Sequence, residues 1–183
     1  FIICPIGEEG SEPRSRSDKM LRHVFAPVLA AVGYEPVRAD GIPKAGLITS
    51  QIINMVIESE LVIADLTDGN PNVFYELAVR HSTGRPFVQV IHKYSRIPFD
   101  IAALRTISVD LADPDSIEAA KVQLQRQVEE FDKGHKPDSP ISVAAGVRLL
   151  KNDQGFAEEL VRKIDDLVGT GFCSIDDIDD RVT

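Results

Sequence analysis

The run Leu61-Val62-Ile63-Ala64-Asp65-Leu66 limits the possible folds more than any other feature of the chain. It is apolar at nearly every position rather than at alternate ones, which describes a strand buried on both faces, and such strands belong to parallel sheets. Phe1-Ile2-Ile3-Cys4-Pro5-Ile6, closed by Gly7, has the same character, and so has Pro86 to His92. Tyr34 to Ala39 and the weaker Thr106 to Val109 are two further strand candidates.

Helical spacing fills the gaps between these runs. From Ser17 the apolar residues Met20, Leu21, Val24, Phe25, Val28, Leu29 and Val32 recur every three or four positions up to Gly33, with Pro27 as a possible kink. Ile48 to Ile57 repeats the pattern, with Thr49 or Ser50 near its start. Asn70-Pro71 opens a third helix, because Asn caps free amides and Pro in the first turn gives up a hydrogen bond that would be missing anyway. That helix is expected to run to Thr83 and stop at Gly84, and a fourth spans Ser116 to Phe131. Strands alternating with helices predict an α/β fold: a flavodoxin-like three-layer sandwich with about five parallel strands in the order 2-1-3-4-5 and helices on both faces. The expected division is a nucleotide-binding core over 1–133 and an extension over 134–183. That extension comprises the loop Gly134 to Pro140, a helix from Phe156 to Val168 and an acidic stretch from Ser174 to Arg181.

Composition narrows the partners. With 183 residues, 43% of them apolar, the chain can bury one core without disulfide staples. Twenty Lys and Arg stand against 29 Asp and Glu, a formal charge of -9, which argues against a generic binder of duplex nucleic acid or anionic membrane. The excess is uneven: residues 1–110 carry 11 basic and 13 acidic side chains, a net of -2, and residues 111–183 a net of -7. Cys4 and Cys173 make neither a disulfide framework nor a zinc cluster, so a reducing cytoplasm and no metal are expected. No stretch approaches the roughly 20 apolar residues of a membrane span. The opening residues read as a strand rather than a signal peptide, and a start in mid-strand at Phe1 reads as a piece of a longer chain.

In an open parallel sheet, ligands bind beyond the carboxyl ends of the strands. Four loops qualify: 5–18, 39–48, 65–72 and 92–100. The third is the richest, with Asp65, Asp68, Asn70, Asn72 and Glu76 within 12 positions. Helical spacing sets Asn72, Glu76 and Arg80 on one face and Phe74, Leu77, Ala78 and His81 on the other. A carboxylate near a helix start suits the stabilisation of a positive centre. The competing reading is a surface Glu76–Arg80 pair worth about 0.3–0.5 kcal/mol, with Asp65 and Asp68 holding turn amides. In the first loop, Arg14 and Arg16 stand before a helix amino end and suit a phosphate. The loop lacks both G-x-G-x-x-G and G-x-x-x-x-G-K-[ST], and a solvated charged loop is the alternative. Pro5, Ile6 and Gly7 from this loop, Asp40 from the next, and Asn72 and Arg80 on the row of Glu76 complete the expected substrate-binding set. No serine-hydrolase elbow, H-E-x-x-H or Cys–His pairing is present, His81 reads as a packed core histidine, and His92 is at most a contact.

The segments Ser59 to Thr67, Asn70-Pro71-Asn72-Val73-Phe74-Tyr75-Glu76-Leu77-Ala78 and Gly84-Arg85-Pro86 together resemble the nucleoside 2-deoxyribosyltransferase superfamily and the related TIR-like domains of bacterial defence proteins. Phe1 to Gly7 fits the first strand and loop of that group, and the resemblance covers about residues 1–110. It implies cleavage or exchange of the N-glycosidic bond between a base and C1′, with Glu76 as the helix-borne glutamate beside the anomeric carbon. Asp65 and Asp68 are placed to reach ribose hydroxyls, and Glu60 stands where the family usually has aspartate.

These readings converge on an N-glycosidase acting on a nucleotide. Breaking the C1′–N bond builds an oxocarbenium-like cation that a carboxylate stabilises or attacks. Nicotinamide in NAD is already cationic and departs neutral, whereas a neutral base needs protonation, for which Asp65 or Asp68 is the candidate acid. NAD hydrolysis is therefore ranked ahead of deoxynucleotide cleavage or transfer. The expected partner is a small-molecule nucleotide that serves as substrate, with no further cofactor, no nucleic acid and no membrane, in a homo-oligomer that can be linked to other domains. The alternatives are a non-catalytic TIR-like module that senses a nucleotide or assembles with itself and, behind it, a flavodoxin-like electron carrier.

Overall fold

The computed structural model describes residues 1–41 and 48–144. Within them lie four parallel strands, β1 (Ile2–Ile3), β2 (Val62–Asp65), β3 (Phe87–His92) and β4 (Thr106–Val109), hydrogen-bonded in the order β1-β2-β3-β4. The helices are α1 (Glu12–Met20), α2 (Ala26–Ala31), α3 (Ile48–Glu58), α4 (Pro71–Thr83) and α5 (Pro114–Asp132). The α/β reading holds, with a four-stranded all-parallel sheet flanked by helices. Phe1–Ser142 form one compact unit and Val143–Thr183 a second. The helix expected over 156–168 and the acidic stretch 174–181 lie outside the described residues.

Alternate residues of each strand supply two cores. Ile2, Ile63, Val88, Val90, Ile107 and Val109 pack with α1, α2 and α5 through Met20, Val28, Leu29, Leu124 and Val128. Ile3, Val62, Ala64, Phe87 and Ile91 face the other way, onto Val56 of α3 and Val73 and Leu77 of α4. Helices therefore cover both faces of the sheet.

Three departures from the sequence reading have identifiable causes. The segment 34–39 was expected as a strand, yet it makes a single parallel bridge, Arg38 to Ile2, with the Ile2 amide donating to the Val37 carbonyl at 2.8 Å. Pro36 has no N–H to continue a ladder. The first helix begins at Glu12 rather than Ser17, because Ser11 caps it by accepting from the Arg14 amide at 3.4 Å and Pro13 occupies its first turn. A Cβ on Gly7 would collide with the Ser11 hydroxyl, so the cap depends on glycine there. The chain then passes through a π-helical turn, Leu21–Phe25, before α2. Pro27 offers no N–H and its ring crowds the preceding carbonyl, and the wider turn absorbs both.

α4 follows the sequence reading closely at its ends. Asn70 accepts from the amides of Asn72 (2.9 Å) and Val73 (3.4 Å), and Gly84 ends the helix in the left-handed region at φ 62°. Its inward face differs from the expected one: Val73, Leu77, Arg80 and His81 are buried and Ala78 is exposed. Arg80 is 0% exposed and has no carboxylate partner among the described residues. Its guanidinium donates to the carbonyls of Val56 (2.8 Å), Ser59 (2.8 Å), Glu60 (3.0 Å) and Pro86 (2.8 Å), joining the end of α3 to the entries of β2 and β3. The surface Glu76–Arg80 pair does not form.

Arg80→Leu takes the side-chain donor from the carbonyls of Val56, Ser59 and Glu60 and is expected to destabilise the fold by about 3 kcal/mol or more, read as a lower urea midpoint. Arg80→Lys, with three donors in place of the five-donor fork, recovers only part of the loss. An unchanged midpoint for Arg80→Leu would show that the carbonyls find other partners.

Candidate active site

Beyond the carboxyl end of β1 lies a cleft of about 160 Å³ whose walls include Ile3, Cys4, Ile6, Ala39, Ile52, Asn70, Asn72, Val73 and Glu76. Glu76 reaches it because the row Asn72–Glu76–Arg80 runs obliquely into the protein: Asn72 is exposed, Glu76 half-buried and Arg80 buried. No hydrogen bond or ion pair joins the Glu76 carboxyl to any described residue, and apolar neighbours replace water around it. Burial alone pushes its pKa from 4.5 up to about 7. Glu76 is the one carboxyl among the described residues of the cleft wall. Such a group senses positive charge strongly, since a cation entering the cleft meets an unpaired carboxyl in reduced dielectric.

The other expected site residues fall into three groups. Asn72 and Ile6 line the cleft with Glu76, while Pro5 and Gly7 adjoin Ile6 without lining it, and Ala39 rather than Asp40 forms the wall. Asp65, 1% exposed, belongs to the fold: one of its oxygens accepts from the Thr67 amide (3.0 Å) and hydroxyl (2.5 Å), and the same hydroxyl accepts from the His92 amide at 3.0 Å. That chain of bonds ties the carboxyl ends of β2 and β3 together. Burial raises the Asp65 pKa, and the Thr67 hydrogen bonds oppose the shift.

The third group is ionic. Asp68, in a left-handed conformation at φ 63°, accepts from Arg16 at 2.5 Å. Arg14 lies against Asp18 (3.3 Å) and Asp40 (2.6 Å), and the buried Arg38 binds Asp18 (2.6 Å), Asp40 (2.7 Å) and the Ser17 hydroxyl (2.8 Å). Hydrogen bonds from Arg38 hold the Asp18 and Asp40 carboxyls below the usual range. Because α1 starts early, Arg14 and Arg16 stand on a helix and already have carboxylate partners. Arg80, for its part, serves the carbonyls described above. The structure therefore brings together Glu76, Asn72 and Ile6 and sets Arg14, Arg16, Asp40, Asp65, Asp68 and Arg80 apart from the cleft wall. His81 is buried against Phe87, with ring centroids 4.4 Å apart, and burial lowers its pKa to about 4, so it is a packing residue as expected.

Cys4 and Ile52 line the cleft without having been singled out from sequence. The Cys4 thiol sits 3.0 Å from the Ser17 hydroxyl, and burial raises its pKa to about 11, which leaves it un-ionised and poorly nucleophilic. Ile52 stands one turn after Ile48 in the α3 repeat, so the helical period was the available signal.

Between about pH 4.5, where an unfolded glutamate titrates, and about 7, the folded protein keeps a proton on Glu76 that the unfolded chain has released. Stability contributed by this group therefore falls as pH rises through that window. Glu76→Gln is expected to match the parent protein near pH 4 and to exceed it near pH 8 in denaturant unfolding. A difference between the two that stays constant with pH would mean that the carboxyl is fully hydrated. Compared with known proteins, the chain matches no family model and no curated protein.

Proposed function

We propose that this protein is an N-glycosidase that cleaves the base–C1′ bond of a nucleotide, with NAD favoured over a deoxynucleotide. The reading takes the parallel sheet as flavodoxin-like, with 34–39 as an abbreviated fifth strand beside β1. The observation that carries it is the unpaired Glu76 carboxyl, half-buried in a small cleft beyond the sheet's carboxyl edge. As the C1′–N bond breaks, its electron pair goes to the base nitrogen and positive charge grows on the sugar. Ionised Glu76 offsets that charge, water adds at C1′, and one proton is released.

The preference for NAD comes from what surrounds Glu76. A neutral base needs a second carboxyl as acid, and Asp65 and Asp68 are engaged with Thr67 and Arg16. A pyridinium leaves without protonation, so one carboxylate suffices. Arg14 and Arg16 are paired with carboxylates rather than free to position a phosphate for cleavage, so the second reading is a module that binds a nucleotide without turning it over.

Incubation with NAD, and separately with deoxynucleoside monophosphates, followed by chromatography of the free base, tests the proposal. Base release from NAD is expected to rise with pH through about 7 as Glu76 ionises. Glu76→Gln is expected to lower it by about 10²–10³-fold. Full-rate release by Glu76→Gln would refute the assignment, and calorimetric binding of NAD without any release would establish the second reading.

A further inference from the structure

A larger hollow lies elsewhere among the described residues. It measures about 750 Å³ against about 160 Å³ for the Glu76 cleft, and it falls in the roughly 300–1,000 Å³ range of small-molecule sites. Phe87, at the amino end of β3, and Leu104 and Arg105, on the approach to β4, form one wall, and Arg126, Gln127 and Phe131 of α5 form the other. It therefore opens at the amino edge of the sheet, whereas the Glu76 cleft opens beyond the carboxyl end of β1. Its α5 wall is firm, because Leu124 and Val128 of the same helix are anchored in the core.

Three features describe what the hollow would take. Phe131 offers aromatic surface to a ring. The Gln127 side-chain nitrogen is enclosed and has no acceptor among the described residues, an unmet donor that an incoming acceptor would satisfy. Arg105 and Arg126 have no carboxylate partner among the described residues, although the protein is acidic overall. The neighbouring acids are mostly engaged: Glu130 pairs with Lys133 at 2.7 Å, and Glu129 accepts from Gln125 at 2.8 Å. Asp138 alone is left without a partner on this rim. Two guanidiniums thus remain for an anion from outside.

We propose that this hollow is a ligand site, separate from Glu76, for a small aromatic molecule that carries an anionic group. The ring lies against Phe131, an acceptor on the ligand meets the Gln127 amide, and the anion meets Arg105 and Arg126.

The probe is 8-anilinonaphthalene-1-sulfonate, an aromatic anion, titrated into the full chain by fluorescence, with the neutral N-phenyl-1-naphthylamine as control. One-to-one binding of the sulfonate is expected, with the Gln127 side-chain amide resonance shifting at saturation. Replacing both exposed arginines, R105E with R126E, is expected to weaken sulfonate binding more than tenfold while the neutral control is unchanged. Equal sulfonate affinity in parent and double variant would overturn the proposal, as would saturation without a Gln127 shift. Neither readout depends on base release, so this site and the Glu76 reading stand or fall separately.

Discussion

A single buried guanidinium fixes the helix that carries Glu76 against the sheet. Arg80 has no carboxylate opposite it and instead satisfies carbonyls at the end of α3 and at the entries of β2 and β3. Chain ends leaving a helix or entering a strand carry carbonyls that the regular ladders do not reach, and burying them unpaired is costly. One planar fork serves five such groups, the Ile57 carbonyl at 3.4 Å among them, and it does so from α4. The position of α4 relative to β2 and β3 is thereby set, and Glu76, one turn earlier on the same row, is carried to the edge of the cleft. The desolvation that lowers the Arg80 pKa to about 10 is tolerated because the fork's donors are used.

Charge is handled differently at the carboxyl edge of the sheet. Arg14, Arg16 and Arg38 cross-link α1 to the 38–40 segment and to the turn after β2 through Asp18, Asp40 and Asp68. Much of this network is partly exposed, so its effect is chiefly to fix geometry rather than to add large stability. Glu76 is left as the unpaired acid of the cleft, and the contrast with its neutralised surroundings makes it chemically distinctive. A carboxyl that accepts no hydrogen bond in apolar surroundings retains its proton to higher pH, and it attracts an incoming positive charge more strongly than a solvated one would.

The parallel sheet was legible from wholly apolar runs such as Leu61 to Leu66, since a strand buried on both faces has no polar side to show. The limits of α4 were legible from Asn70-Pro71 and Gly84, which act through local backbone chemistry. Where a single residue altered a local outcome, the signal was present but weaker: Ser11 with Pro13 started α1 early, and Pro36 reduced a strand to one bridge. Glu76 was legible as a candidate by its place at a helix start, and its isolation was not. Arg80 shared its helical row and reads from sequence as a substrate contact or a surface partner of Glu76, because spacing says which residues are neighbours on a cylinder and not how deep each one lies.

Sequence by itself determined the alternation of strands and helices, the caps of α4 and the choice of Glu76, all of which rest on contacts within a few residues along the chain. The tertiary structure alone decided how the charges were shared out. Asp65 turned to Thr67, Arg16 to Asp68 across 52 positions, and Arg80 to carbonyls 20 and 24 positions away. Which acid remains unpaired depends on distances between segments remote in sequence. Those distances exist only once the sheet has brought the segments together.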